Sequence, residues 1–198
     1  KEVVLSGVDI TSWGQDIEGR PRLGRLVQEI LCAVPELPRL RLSSLDPAEP
    51  DHALMEVLAS EARLMPHLHL SVQHGDDMIL KRMKRRHLAR DVLRFCEEAR
   101  RRRSDVVFGA DIIAGFPTET EAAHHASCQL IKEADLVHLH IFGYSSRAGT
   151  PAAQMPQIDK NIVKTRVAEL RALGAHQLLN PLAMRISGHD MFLLAAGG

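Results

Sequence analysis

A chain of 198 residues, 45% of them apolar and 25% charged, is long enough to bury one substantial core and has the composition of an ordinary globular domain. Lys plus Arg and Asp plus Glu number 25 each, so no overall charge announces a nucleic-acid or membrane partner, and no stretch approaches the ~18 uninterrupted apolar residues of a membrane span. The three cysteines, Cys32, Cys96 and Cys128, are far apart and share no metal-ligand spacing; buried, reduced thiols fit this usage, as does a cytoplasmic location.

In chain order, KEVVLSGVDI opens directly in strand-like sequence, without initiator Met or signal-peptide architecture, as a cut through a larger protein would. Glu2–Val8 is β-branched and apolar, and Leu23–Val34 has helical spacing. Arg39–Ser44 alternates as a strand does and stops at Asp46–Pro47, before a helical stretch over 53–60. Leu68–Gln73 is the third strand, followed by Gly75 and two helical patches, Met78–Met83 and Asp91–Arg103. Val106–Ala114 and Leu136–Phe142 are the last strands, with a helix around Glu121–Glu133 between them. Thr118-x-x-Glu121 reads as the capping box that opens this helix.

Strands alternating with helices predict βαβ units and a mainly parallel sheet. Without a GxGxxG turn or a P-loop, a whole or partial barrel is favoured over a nucleotide-binding open sheet, and its ligands bind where the strands end. Those ends are Gly7–Val8–Asp9, Ser43–Ser44, Ser71 to Gly75, Gly115–Phe116–Pro117 and Tyr144 to Arg147. They offer small residues, hydroxyls, one amide and few charges, which suits a polar organic ligand; the plainer account is that Gly and Ser make turns.

Two pairs, His67-x-His69 and His138-x-His140, each point to one face of a strand and could chelate an ion. Both precede the strand end by several residues, so packed or lower-rim histidines are the better account, with a metal-dependent barrel hydrolase as the alternative. The basic run from Lys81 to His87 and Arg100–Arg103 are solvated helix ends or an RNA-facing patch. No local Ser/His/Asp or Cys/His motif and no HExxH is present. From the residues alone, the chain is an α/β-barrel-like enzyme portion with a small-molecule site on its upper rim.

At these same strand ends the chain resembles the radical-SAM methylthiotransferases, which modify tRNA or a ribosomal protein. The matching stretches are EVVLSGVDITSWG (2–14), LPRLRLSSLDP (37–47), HLHLSVQHGDDMILKRMKRRH (67–87), FGADIIAGFPTETE (108–121) and FGYSSRAGTPAAQM (142–155). They span roughly residues 1 to 170 in the family's order and spacing, and GADIIAGFPTETE is most similar to the branch acting on N6-threonylcarbamoyladenosine in tRNA.

The resemblance implies a partial (β/α) barrel with five of six βα units present, over residues 1–174 and starting at the family's second strand, then a divergent tail over 175–198. It implies S-adenosylmethionine as cofactor, a [4Fe–4S] cluster in the full-length parent, tRNA and a reducing-electron donor as partners, and no membrane. Carried over residue by residue, Gly7 and Asp9 meet the methionyl end, and Ser43 and Ser44 lie near it. Ser71 and Gln73 reach the ribose or carboxylate; Ile113, Gly115, Phe142 and Tyr144 form the adenine wall. Lys81, Arg82 and Arg85 are the RNA-facing set. The family's CxxxCxxC loop is not found in this chain, His74 stands where Ser is usual, and Gly143 where Pro is common. The cluster loop and N-terminal domain are expected upstream of Lys1. The chain alone is expected to be inactive, a non-catalytic truncated remnant being the further alternative, with an exposed sheet edge that limits solubility.

Overall fold

A computed structural model of the chain describes residues 1–48 and 51–179, so most of the tail over 175–198 lies outside the described residues. Five strands alternate with helices: β1 Glu2–Leu5, α1 Leu23–Ala33, β2 Arg39–Leu42, α2 His52–Ser60, β3 His67–Gln73, α3 Asp77–Arg82, α4 Ala89–Arg102, β4 Val107–Ala114, α5 Glu121–Glu133, β5 Leu136–Gly143 and α6 Lys160–Leu178. Every pairing is parallel, β1 with β2 and β3 with β4 with β5. The two groups are stitched through Leu45, whose amide donates to the His69 carbonyl while its own carbonyl accepts from the Ser71 amide. The order is therefore β1-β2-β3-β4-β5, an open parallel sheet without closure into a barrel.

Helices cover one face of this sheet. Leu40 and Leu42, then Leu68, Leu70 and Val72, then Phe108, Ala110, Ile112 and Ala114 alternate onto the buried face. They meet Val27 and Leu31 of α1, Leu54 and Leu58 of α2, and Val92, Phe95, Cys96 and Ala99 of α4 in one core. The helical spacing i, i+3, i+4, i+7 in α4 puts that stripe on a single side. Helices α1 and α2 pack so closely that a Cβ at Gly24 would stand 2.0 Å from the Leu54 backbone nitrogen. The Asp51 carboxylate joins them, accepting from Gly24 N at 2.7 Å and capping α2 at Leu54 N at 3.2 Å.

Arginines close the helix C-termini. Arg63 reaches the carbonyls of Leu31, Val34 and Pro35 at the end of α1; Arg103 reaches those of Leu58, Glu61 and Leu64 beyond α2; Arg100 reaches those of Ala134 and Asp135 beyond α5. Such carbonyls have no intrahelical donor, and a guanidinium satisfies two or three of them at once. Half of the Arg100–Arg103 run therefore closes helices, and Arg101 and Arg102 pair with Glu98.

The strand and helix expectations agree with these elements to within a few residues. The capping box is a correction. Thr120 caps α5, accepting from Ala123 N at 3.2 Å, whereas Thr118 takes φ +70° and Glu119 turns inward. A helix absent from the strand-end reading, α6, packs along β5 and β4.

Candidate functional site at the strand ends

On the sheet's other face the same alternation exposes a mainly polar row: Arg39 and Arg41 on β2, with Ser43 just beyond it; His67, His69, Ser71 and Gln73 on β3; Asp111 and Ile113 on β4; His138, His140 and Phe142 on β5. A barrel interior filled by apolar layers would read otherwise. This face is a lumen, and its C-terminal rim carries two neighbouring cavities.

The first, about 270 Å³, is lined by Val8, Asp9, Ser44, Asp46, Ser71, Lys84, Arg85 and Arg86. Asp9 caps a short 3-10 helix, Ile10–Ser12, through the Ser12 amide and hydroxyl, and its carboxylate accepts from Arg86 at 3.1 Å. Arg86 also reaches Asp46 at 3.3 Å, and His87, fully buried, lies 3.3 Å from the other Asp46 oxygen. Burial pushes the Asp46 carboxyl up, but the neighbouring His87, the Ala48 amide and the Arg85 charge outweigh it and hold the group at about 2. Arg85 donates to the Ser71 carbonyl at 3.0 Å and lies 3.6 Å from Asp46. These contacts turn Arg85 toward the rim, where it is half-buried, while Lys81 and Arg82 are exposed.

The second cavity, about 490 Å³, is lined by Gln73, Asp111, Ile113, Phe142, Gly143, Tyr144, Ser145, Arg147, Thr150 and Ala152. Its wall mixes apolar and aromatic Ile113, Phe142 and Tyr144 with polar Gln73, Asp111, Arg147 and Thr150, and Tyr144 lies edge-on to Phe116 at 5.3 Å between centroids. Tyr144 is fixed by its amide, which donates to the Ala114 carbonyl at 2.8 Å. Gln73 stands where β3 shifts register and has φ +67°, a left-handed conformation that a side-chain-bearing residue adopts at a cost. That strain holds its amide between this cavity and an adjoining one of about 360 Å³.

The expected rim residues thus divide: Asp9, Ser44 and Ser71 line the first cavity; Gln73, Ile113, Phe142 and Tyr144 the second. Gly7 is exposed just before Asp9, and Ser43 beside Ser44 has a buried hydroxyl without a partner among the described residues. At Gly115, with φ +77°, a Cβ would stand 2.4 Å from Val163 of α6, so the glycine gives clearance to that helix.

Beneath the rim lies a buried clamp invisible to strand-end reading. Glu119, wholly buried, accepts from the amides of Gly115 at 2.7 Å and Phe116 at 3.2 Å, lies 3.2 Å from His74, and accepts from Arg166 of α6 at 2.9 Å. Burial alone would raise this carboxyl; the His74 hydrogen bond and charge, the Gly115 amide and Arg166 bring it below its ordinary value. His74, out of place against the family pattern, is thereby explained as a partner of Glu119.

Lower in the lumen, Asp111 Oδ1 lies 3.0 Å from His69 Nε2 and 3.1 Å from His140 Nδ1. One histidine of each pair meets a shared acid, the His69 and His140 rings lie 4.8 Å apart, and His140 has 63% of its side chain exposed. The three cysteines stand apart on outer helices, and burial pushes the Cys96 thiol up to about 12, the opposite of what an iron-bound thiolate needs. The described residues do not fit a [4Fe–4S] cluster.

The Radical SAM superfamily model matches residues 1–131. Among curated proteins, the chain is 53% identical over 98% of its length to the threonylcarbamoyladenosine tRNA methylthiotransferase of Rickettsia prowazekii, covering 46% of that protein. It is 39% identical over 89% of its length to a tRNA-2-methylthio-N(6)-dimethylallyladenosine synthase of Cereibacter sphaeroides, covering 40% of it. The chain therefore spans about half the length of the curated relatives it matches, or less. Among solved structures, coproporphyrinogen III oxidase from Escherichia coli, a radical SAM enzyme, superposes with a TM-score of 0.61 over 84% of this chain and 42% of that one, at 15% identity. At that identity the likeness concerns the fold.

Proposed function

The chain belongs to the radical SAM superfamily, and on that premise we propose that it is the barrel portion of a methylthiotransferase that acts on N6-threonylcarbamoyladenosine in tRNA. The carrying observation is the convergence of the strand ends on two adjoining cavities of unlike chemistry, in a chain 53% identical to a protein named for that reaction. S-adenosylmethionine has two unlike ends. Its zwitterionic methionyl end suits the first cavity, where Asp9 and Asp46 complement an ammonium and Lys84 and Arg86 a carboxylate. Its adenine suits Ile113, Phe142 and Tyr144, with Gln73 between the two ends and the unpartnered Ser43 hydroxyl available to a polar atom.

Bound there, S-adenosylmethionine supplies a carbon-centred radical when its sulfonium is reduced. This chain's residues bind it, fix its orientation along the rim and keep water from the adenine wall. The barrel assignment extends over residues 1–174, and Lys81 and Arg82 form the tRNA-facing edge. A reductant protein and a cytoplasmic setting go with this function.

Equilibrium binding of S-adenosylmethionine to the purified chain tests the proposal. Gln73→Ala and Arg86→Ala should each weaken binding by about tenfold, the loss of one good hydrogen bond or ion pair. Absence of saturable binding, or wild-type affinity in both variants, would overturn it.

A further inference from the structure

The His69–Asp111–His140 cluster touches the second cavity only through Asp111, and none of its three residues is assigned a cofactor contact above. The three donor atoms lie within 4.8 Å of one another, on three adjacent strands in register: His69 is paired with Gly109, and Asp111 with His140. Gly109 makes the assembly possible, since a Cβ there would stand 2.6 Å from His69 Nδ1 and 2.9 Å from the His138 carbonyl. Any other residue would push the imidazole away from Asp111. One layer lower, His67 and His138 meet edge to face at 5.2 Å, so the cluster rests on a second imidazole pair.

We propose that His69 Nε2, Asp111 Oδ1 and His140 Nδ1 form a binding site for a divalent transition-metal ion, with zinc as the occupant of best fit. Ligand atoms about 2.0–2.2 Å from one zinc ion lie about 3.3 Å from one another in a tetrahedral site. The two N···O separations, 3.0 and 3.1 Å, are already within a few tenths of an ångström of that value. The remaining separation, at most 4.8 Å, closes by a rotation of His140 about its Asp111 contact, for which its 63% side-chain exposure leaves room. Two imidazoles and one carboxylate select a borderline cation over calcium or magnesium, which prefer all-oxygen shells. Three protein ligands leave a fourth position open toward the lumen, where Asp111 borders the larger cavity.

This site goes beyond the proposed function and stands on this chain's own residues. Chelator-treated wild-type chain is titrated with Co²⁺, followed by its visible d–d absorption, and then with competing Zn²⁺. The expected result is one saturable site per chain with an intense tetrahedral band that Zn²⁺ abolishes. Asp111→Asn and His140→Gln should each weaken binding by about 100-fold, while His125→Gln on the outer face of α5, with 71% of its side chain exposed, should leave it unchanged. His140→Gln lies at an exposed position and tests the site even if Asp111→Asn unfolds. Absence of a saturable band, or wild-type affinity in folded His140→Gln, would overturn the proposal. S-adenosylmethionine binding by metal-free chain is a separate readout, so failure here leaves that reading standing, and the converse.

Discussion

Replacing Glu119 by Ala should unfold the rim from beneath. The substitution removes the acceptor for two backbone amides, Gly115 and Phe116, and the partner of His74 and Arg166. Arg166, with 8% of its side chain exposed, would keep only the Glu119 carbonyl and the exposed Glu121 carboxylate. Breaking a buried ion pair from one side costs about 3–5 kcal/mol; the partners left to Arg166 put the cost near the lower end, about 3 kcal/mol. With a urea slope of about 2 kcal/mol per molar, the midpoint should fall by about 1–2 M. Urea unfolding followed by far-ultraviolet circular dichroism reads this directly. Arg166→Met combined with Glu119→Ala should cost clearly less than the two changes summed, because the double variant leaves no buried charge unpaired. A loss below about 1 kcal/mol for Glu119→Ala, or strict additivity in the double variant, would refute the clamp.

Three further outcomes are open to measurement. Asp46 titrates at about 2 in the folded chain, below its ordinary 3.8, so its contribution is fully present above the unfolded value and is lost as pH falls through the folded one. A shift of that size corresponds to roughly 2 kcal/mol, and the stability difference between wild type and Asp46→Asn should shrink by that amount on acidification from about pH 5 to about pH 2. Gly115→Ala should destabilise by about 2–4 kcal/mol through overpacking and the left-handed backbone; adding Val163→Ala should recover the packing share only, and full recovery would contradict the φ +77° assignment. On tRNA, Lys81→Ala and Arg82→Ala should each weaken binding and reduce its salt dependence by about one phosphate contact, whereas Arg85→Ala, which loses the bond to the Ser71 carbonyl, should also lower thermal stability; unchanged stability in Arg85→Ala would contradict that structural role.

The five strands and most helices were legible because β-branched alternation and helical spacing are local signals, and the rim followed from where those signals stop. Asp9, Ser44, Ser71 and Gln73 could be named that way. Asp46 and His87 could not be joined, since 41 residues of chain separate them and only the fold brings them within 3.3 Å. The Glu119 clamp was hidden for a different reason: Glu119 sits inside a Thr-x-x-Glu pattern that imitates a helix cap two residues early. Gly115 could be named from the strand end, yet the neighbour that a Cβ there would meet, Val163, belongs to a helix that carries no motif. Histidine pairs in strands were visible, but their meeting over Asp111 depends on parallel register, which sequence leaves unset.

Parity along the strands has an evolutionary consequence. In β3 and β4 the even-numbered residues, from Leu68 to Val72 and from Phe108 to Ala114, hold the helices, while the odd-numbered ones face the lumen; in β5 the assignment is reversed, with His138, His140 and Phe142 inside. Two texts are interleaved on each strand, one written for folding and one for chemistry. Substitutions in the second forfeit little packing, so a lineage can rewrite what the lumen accepts, one alternate position at a time, with the scaffold left intact.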